Sequence, residues 1–139
     1  MVCETLGMAK PVILNQLIER NFGEMTGKPI SDIERLCAPN IIKTDTVTYF
    51  LSPLGAETFP DLLKRAGQAL NQIRAEHSTG SILLVTHGDL GKMLYAAHYG
   101  LPWQKVLTGF HFGNCELLLL ADGENPNEPH VVKIDQHNH

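Results

Sequence analysis

The stretch Ile82, Leu83, Leu84, Val85, Thr86, His87, Gly88, Asp89 places a histidine where an apolar run stops and a helical pattern starts. An imidazole exchanges protons and hydrogen bonds near neutral pH. Gly88 lets backbone approach a ligand closely. A helix that begins there points free N–H groups and its positive end at an anion. The chemistry this suggests is recognition of phosphate or a similar anion. The same residues also fit a histidine that only packs or turns the chain, and from this stretch alone both readings stand. Glu19 and Arg20 put a carboxylate beside a guanidinium; the usual fate of such a pair is a solvated surface. Glu57 reads as a helix-start carboxylate favoured by the dipole, and Asn114 as a turn residue that satisfies backbone. His98 and His111 stand among apolar residues and read as packing. His130, His137 and His139 crowd the C-terminus, without the four fixed ligands of a structural zinc site. Residues 23–28 (Gly-Glu-Met-Thr-Gly-Lys) fall one residue short of a phosphate loop, and Pro29 stands where Ser or Thr would hold magnesium.

These residues need elements to hold them. Residues 1–10 read as the tail of a helix ending near Gly7, with Pro11 beyond it. Pro11 to Leu14 is a short apolar run with the look of a strand. Pro29, Ser31 and Glu34 have the spacing of a short capped helix, and residues 37–55 read as irregular. From Thr58, Phe59, Leu62, Leu63, Ala66, Leu70 and Ile73 recur at three and four, with Asp61, Lys64, Arg65, Gln68 and Arg74 opposite. Residues 81–86 (Ser-Ile-Leu-Leu-Val-Thr) predict a strand covered on both faces. Asp89 is expected to cap the next helix, whose inner face is Leu90, Met93, Leu94 and Ala97; Gly100 and Pro102 stop it. Residues 115–121 predict a second buried strand, and residues 130–134 an alternating edge strand after the Asp122-Gly123 turn. Helices alternating with apolar strands predict an α/β sandwich with a mostly parallel sheet. Ligand sites in such sheets form outside the carboxyl ends of the strands, where His87 stands.

The 139 residues are one domain's worth of chain, 43% hydrophobic and 19% charged. A net charge of −4 excludes a broadly basic nucleic-acid face. It leaves room for a locally basic cleft. Three cysteines, with no CxxC spacing, read as reduced thiols of a cytoplasmic protein. No apolar run approaches the ~18 residues of a spanning helix, so no membrane is expected.

Four segments resemble the histidine phosphatase superfamily, the phosphoglycerate-mutase-like fold. In Leu17 to Glu34 the resemblance is carried by Glu19, Phe22, Gly23 and Gly27, and Arg20 resembles the mutase branch. Pro53 to Leu70 is similar to the Gly-Glu-Ser segment that opens a long helix, with Ala56 for the second Gly and Thr58 for Ser. Leu83 to Pro102 resembles the second catalytic histidine motif, through Thr86, His87, Gly88 and the closing Gly100-Leu101-Pro102. Phe112 to Leu120 resembles the segment before the last core strand, with Asn114 in register. Together they span most of the chain in the family's order. The family's nucleophile, a histidine in Arg-His-Gly at the end of the first strand, has no counterpart in these residues, nor does a further phosphate-holding arginine.

The resemblance implies a three-layer α/β/α sandwich of phosphoglycerate-mutase-like kind, N-terminally truncated. Residues 1–139 are expected to form a single domain corresponding to the C-terminal two-thirds of the family's. It implies phosphomonoester hydrolysis or phosphoryl transfer through phosphohistidine. Splitting the transfer lowers each barrier, and positioning plus electrostatics does most of the work. The carried-over roles are Glu19 as proton donor and His87 as equatorial donor, both catalytic. Arg20, Gly88 and Asn114 are the phosphate or substrate-binding residues, Arg20 for a second anion. No metal or cofactor is called for. The partner is phosphate or a phosphorylated small molecule, and a homo-oligomer is expected, including one with exchanged elements. Without the nucleophile the chain is expected to be inactive. One alternative is a non-enzymatic pseudophosphatase that binds phosphorylated ligands. Another is a metal-dependent hydrolase using His87 and Asp89.

Overall fold

The computed structural model describes residues 2–133. The expectations for His137, His139 and the end of the last strand lie outside the described residues.

The chain opens with α1 (Val2–Thr5), closed by Gly7 at φ +63°, as the sequence predicts. Three short 3-10 turns follow at Asn15–Leu17, Gly23–Met25 and Ile30–Asp32, the last running into α2 (Ile33–Cys37). Ser31 does not make the expected cap: Pro29 stands at the start of that turn, with no side-chain hydrogen bond. The region read as irregular contains a hairpin, β1 (Ile41–Lys43) against β2 (Thr48–Phe50). Thr44 closes it by accepting from Val47 N–H at 3.0 Å and donating to Val47 C=O at 2.9 Å.

α3 (Phe59–Glu76) is the long helix that the three-and-four spacing predicts. Thr58 caps it, accepting from Asp61 N–H at 3.3 Å, and Pro60 fits the first turn, where no donor is lost. α4 (Gly88–Tyr99) ends on Gly100 in the left-handed conformation, with Leu101 N–H returning to Ala96 C=O. α4 is buried on more than one face, so Lys92, Tyr95 and Ala96 are interior along with Leu90, Met93 and Leu94. A short α5 (Trp103–Gly109) follows, which the sequence pattern did not suggest. α3 and α4 form the core. Leu62, Ala66 and Ala69 of one meet Leu90 and Met93 of the other, all without exposed surface. The two alanines let the helices approach closely. Phe59 stacks on Trp103 of α5 with ring centroids 5.4 Å apart.

The sheet content among the described residues is small. Both sheets described are two-stranded and antiparallel: β1 with β2, and β3 (Leu117–Leu118) with β4 (Val131–Val132). Residues 10–14 and 81–87 carry no strand. The structure is mixed α/β with helices dominant. The physical reason is that a helix closes its hydrogen bonds within itself, whereas a strand exists only when another strand accepts its backbone. The apolar runs at 82–85 and 117–120 still lay side chains on the helices: Leu84, Leu118 and Leu120 pack inward. Leu83, Val85, Leu117 and Leu119 face out.

Candidate functional site

The site is built around the start of α4. His87 is its N-cap residue in an extended conformation (φ −116°, ψ 172°), and its side chain makes no capping bond. The ring is exposed and takes no hydrogen-bond partner among the described residues. The amides of the first turn are capped from elsewhere. Glu19 accepts from Asp89 N–H at 3.4 Å and from Leu90 N–H at 3.2 Å, one through each carboxylate oxygen. Its Oε1 also accepts from Arg20 N–H at 2.8 Å. A carboxylate is what a helix N-terminus attracts. The expectation that Asp89 caps this helix is therefore corrected: Asp89 lies inside the first turn, and its carboxylate is engaged with Arg20.

Arg20 is interior, 3% exposed. Its Nε donates to Asp89 Oδ2 at 2.8 Å and its Nη1 to Glu57 C=O at 3.3 Å. The guanidinium lies 4.3 Å from the Phe59 ring centroid and 4.4 Å from that of Phe50, so its charge is shared between a carboxylate and aromatic faces. Burial pushes the Asp89 carboxyl above its ordinary range, the Glu19 charge adds to this, and the Arg20 charge and hydrogen bond oppose it.

Glu19 is held from behind by Arg65. Arg65 makes a two-point bond to Glu57, 2.8 Å from Nε and 2.7 Å from Nη2. It spends its remaining donors on the carbonyls of Gln16 (2.6 Å), Ile18 (2.9 Å) and Glu19 (3.4 Å). The Arg65 hydrogen bond is the main reason the Glu57 carboxyl is held below its usual range. Thr86 Oγ1 donates to Leu17 C=O at 2.9 Å, tying the same segment to the residue before His87. Gly23 completes the support. At φ +55° its backbone lies against residues 54–56, and a Cβ there would stand 2.3 Å from Leu54 O. That close approach carries the hydrogen bonds Glu24 N–H to Leu54 C=O and Glu57 N–H to Asn21 C=O.

Beyond Gly88 lies a cavity of about 110 Å³, lined by Tyr49, Gly88, Asp89, Lys92, His111 and Phe112 among others. A Cβ at Gly88 would meet nothing within 4 Å, so the helix start faces open space. Lys92 lies at the base. Its ammonium donates to the carbonyls of Leu107, at 2.9 Å, and Phe110. Burial pulls this amine down to about 8, against the Asp89 charge. The Tyr49 phenol is pushed up to about 12, by burial first and the Asp89 charge second.

The fold thus gathers Glu19, Arg20, His87 and Gly88 at one helix start. Asn114 is exposed in the turn at residues 114–115 and does not line the cavity, although Phe112 beside it does. Arg65 and Lys92 are the residues that the sequence reading missed. Arg65 was placed on the solvated face of its helix; the usable signal was its position eight residues after Glu57, two turns along the same side. Lys92 stands among Leu90, Met93 and Leu94, and a cation within a buried stretch was its signal. Among the described residues, no group of three or more His, Cys, Asp and Glu converges as metal ligands would. The Asp89 carboxylate that the metal-hydrolase alternative needs is bound to Arg20. No described helix is long and apolar enough to cross a membrane.

The family model described as histidine phosphatase superfamily (branch 1) matches residues 1–134. No curated protein and no solved structure matches the chain.

Proposed function

The chain belongs to the histidine phosphatase superfamily, and from that premise we propose that it carries the proton-donor and equatorial-donor part of a phosphohistidine site. The observation that supports this is the convergence of Glu19 and His87, distant in sequence, on the first turn of α4. Glu19 is the group that protonates a leaving oxygen, and His87 donates to the phosphoryl oxygens. The ligand is phosphate or a phosphorylated small molecule, seated between the exposed His87 ring and the open side of Gly88. Arg20 acts here by position: it holds Asp89, and through Asp89 the first turn that presents the site. Asn114 belongs to the proposal only as a substrate-binding residue carried over from the family's segment before the last core strand. The finer architecture belongs to the same proposal. Leu84, Leu118 and Leu120 already pack on the core that α3 and α4 form, as side chains of strands in a three-layer sandwich with a mostly parallel sheet would.

In-line transfer needs one imidazole behind phosphorus and donors around its equator. His87, at the head of α4, is suited to the equatorial place, and these residues contain no Arg-His-Gly. The 139-residue polypeptide by itself therefore has negligible phosphatase or mutase activity. The test is turnover of a generic phosphomonoester by the purified chain, with acid-labile phosphoenzyme trapped in parallel. The expected result is turnover at the level of buffer and no labelled protein. Robust turnover with label on His87 would overturn the assignment and make His87 the nucleophile.

A further inference from the structure

The cavity beside Gly88 has unused hydrogen-bonding groups on its walls. Tyr49 is 5% exposed, with its ring packed edge-on against Phe59 at 5.9 Å. Its hydroxyl makes no hydrogen bond among the described residues. No fully buried polar side-chain atom among these residues lacks a partner, so this hydroxyl meets open space, and the space that Tyr49 borders is the cavity. Lys92 is 3% exposed. Two of its three ammonium protons go to the carbonyls of Leu107 and Phe110, and the nitrogen lies 5.3 Å from the Tyr49 ring centroid. Asp89 gives Oδ2 to Arg20, while its Oδ1 takes no hydrogen bond among the described residues. Val47 and Phe112 add apolar wall.

We propose that this cavity receives the organic part of a phosphomonoester, and that the part it selects is a short, uncharged polyol. The proposal rests on the phosphate seat at His87 and Gly88, since Gly88 borders both that seat and the cavity. Charge chooses the class. A carboxylate on the ligand would meet Asp89 and an ammonium would meet Lys92, each a like charge in a recess poor in water. A hydroxyl avoids both, because it accepts from Tyr49 or Lys92 and donates to Asp89 Oδ1. An ester without hydroxyls would strip water from Tyr49 and Asp89 and give no hydrogen bond back, which is the penalty that makes such sites selective. Volume sets the length. The 110 Å³ is room for about four waters at roughly 30 Å³ each, the size of a two- or three-carbon group with its hydroxyls.

Isothermal titration of the purified chain at pH 7.5 is the test, with inorganic phosphate, glycerol 3-phosphate, propyl phosphate and 3-phosphoglycerate as ligands. Glycerol 3-phosphate should bind at least tenfold more tightly than propyl phosphate, which lacks the hydroxyls. It should exceed by as much 3-phosphoglycerate, which carries a carboxylate on the same carbon skeleton. Tyr49→Phe removes one hydroxyl and should bring the glycerol ester several-fold towards propyl phosphate, while inorganic phosphate binds as in the wild type. The wild-type comparison decides by itself if the variant does not fold. No binding of phosphate or of any ester would overturn the seat, and this assignment with it. Phosphate binding with equal affinity for the three esters, a preference for 3-phosphoglycerate, or a glycerol preference that survives Tyr49→Phe would overturn the cavity assignment alone.

Discussion

Leu62 and Leu83 are the same residue type, each in an apolar run, yet Leu62 has no exposed surface and Leu83 is about half exposed. Leu62 belongs to α3, whose backbone bonds close inside the helix, so only one stripe of side chains must find a partner. Leu83 belongs to an extended run whose backbone and outer side chains both depend on a neighbour from elsewhere. Hydrophobicity is equal in the two places; what differs is how much each element needs from the rest of the chain. The helical half is saturated down to its charges, since Arg20 and Arg65 are each held at several points. The extended half has its inner side chains placed and its outer ones bare.

The hardest blow to the helical half is loss of a packed side chain or of one member of a buried pair. Leu62→Ala should cost about 2–5 kcal/mol in urea unfolding. Arg20→Ala should cost about 3–5 kcal/mol at pH 7, because it leaves the Asp89 carboxylate buried without its partner. The pH dependence then has a definite sign. Without Arg20, the folded-state pKa of Asp89 rises further above its unfolded value, so the folded protein holds the proton longer. Stability falls as pH rises through that range, and acidification returns part of it. The difference between wild type and Arg20→Ala should shrink between pH 7 and pH 5; an unchanged difference would remove Asp89 from the account.

Lys92 sharpens the comparison from the other side. Its amine is at about 8 in the folded protein against 10.5 unfolded. The unfolded chain therefore binds more protons above pH 8, and stability rises with pH there. The gain should be about 2 kcal/mol between pH 8 and pH 10. Lys92→Met should lack this rise, and unfolding of both proteins at the two pH values measures it.

At the site, phosphate should stabilise the wild type by ~2.7 kcal/mol at a hundred times its dissociation constant. His87→Ala should lower that affinity by about tenfold, the worth of one donated hydrogen bond of ~1–1.5 kcal/mol. Thermal unfolding with and without phosphate decides this, and equal shifts in both proteins would end the role given to His87. The smallest effect belongs to the bare outer side chains. Val85→Thr, measured where the chain is monomeric, should change stability within about 0.5 kcal/mol.

Legibility followed the same division. α3, its Thr58 cap and the Gly100 stop of α4 were readable because propensity, spacing and caps act over a few residues. Glu19, His87 and Gly88 were picked out from motif spacing, and they meet at one helix start. The partnerships were not readable. Asp89 looks like a cap until Arg20 reaches it, and Arg65 looks solvated until it binds three carbonyls and Glu57. The apolar runs at 82–85 and 117–120 read as strands of a parallel sheet; Leu84, Leu118 and Leu120 pack on the helices, residues 82–85 carry no strand, and the pairing at Leu117–Leu118 is antiparallel.

By itself the sequence determined the long helix α3 with its Thr58 cap, the Gly100 stop of α4, the family and the residue types gathered at His87. Only the tertiary structure decided which amides Glu19 caps, which charges are paired, and whether an apolar run becomes a strand. The reason is range: a helix completes its hydrogen bonds within four residues, whereas buried ion pairs and sheet ladders exist only where distant parts of the chain are brought together.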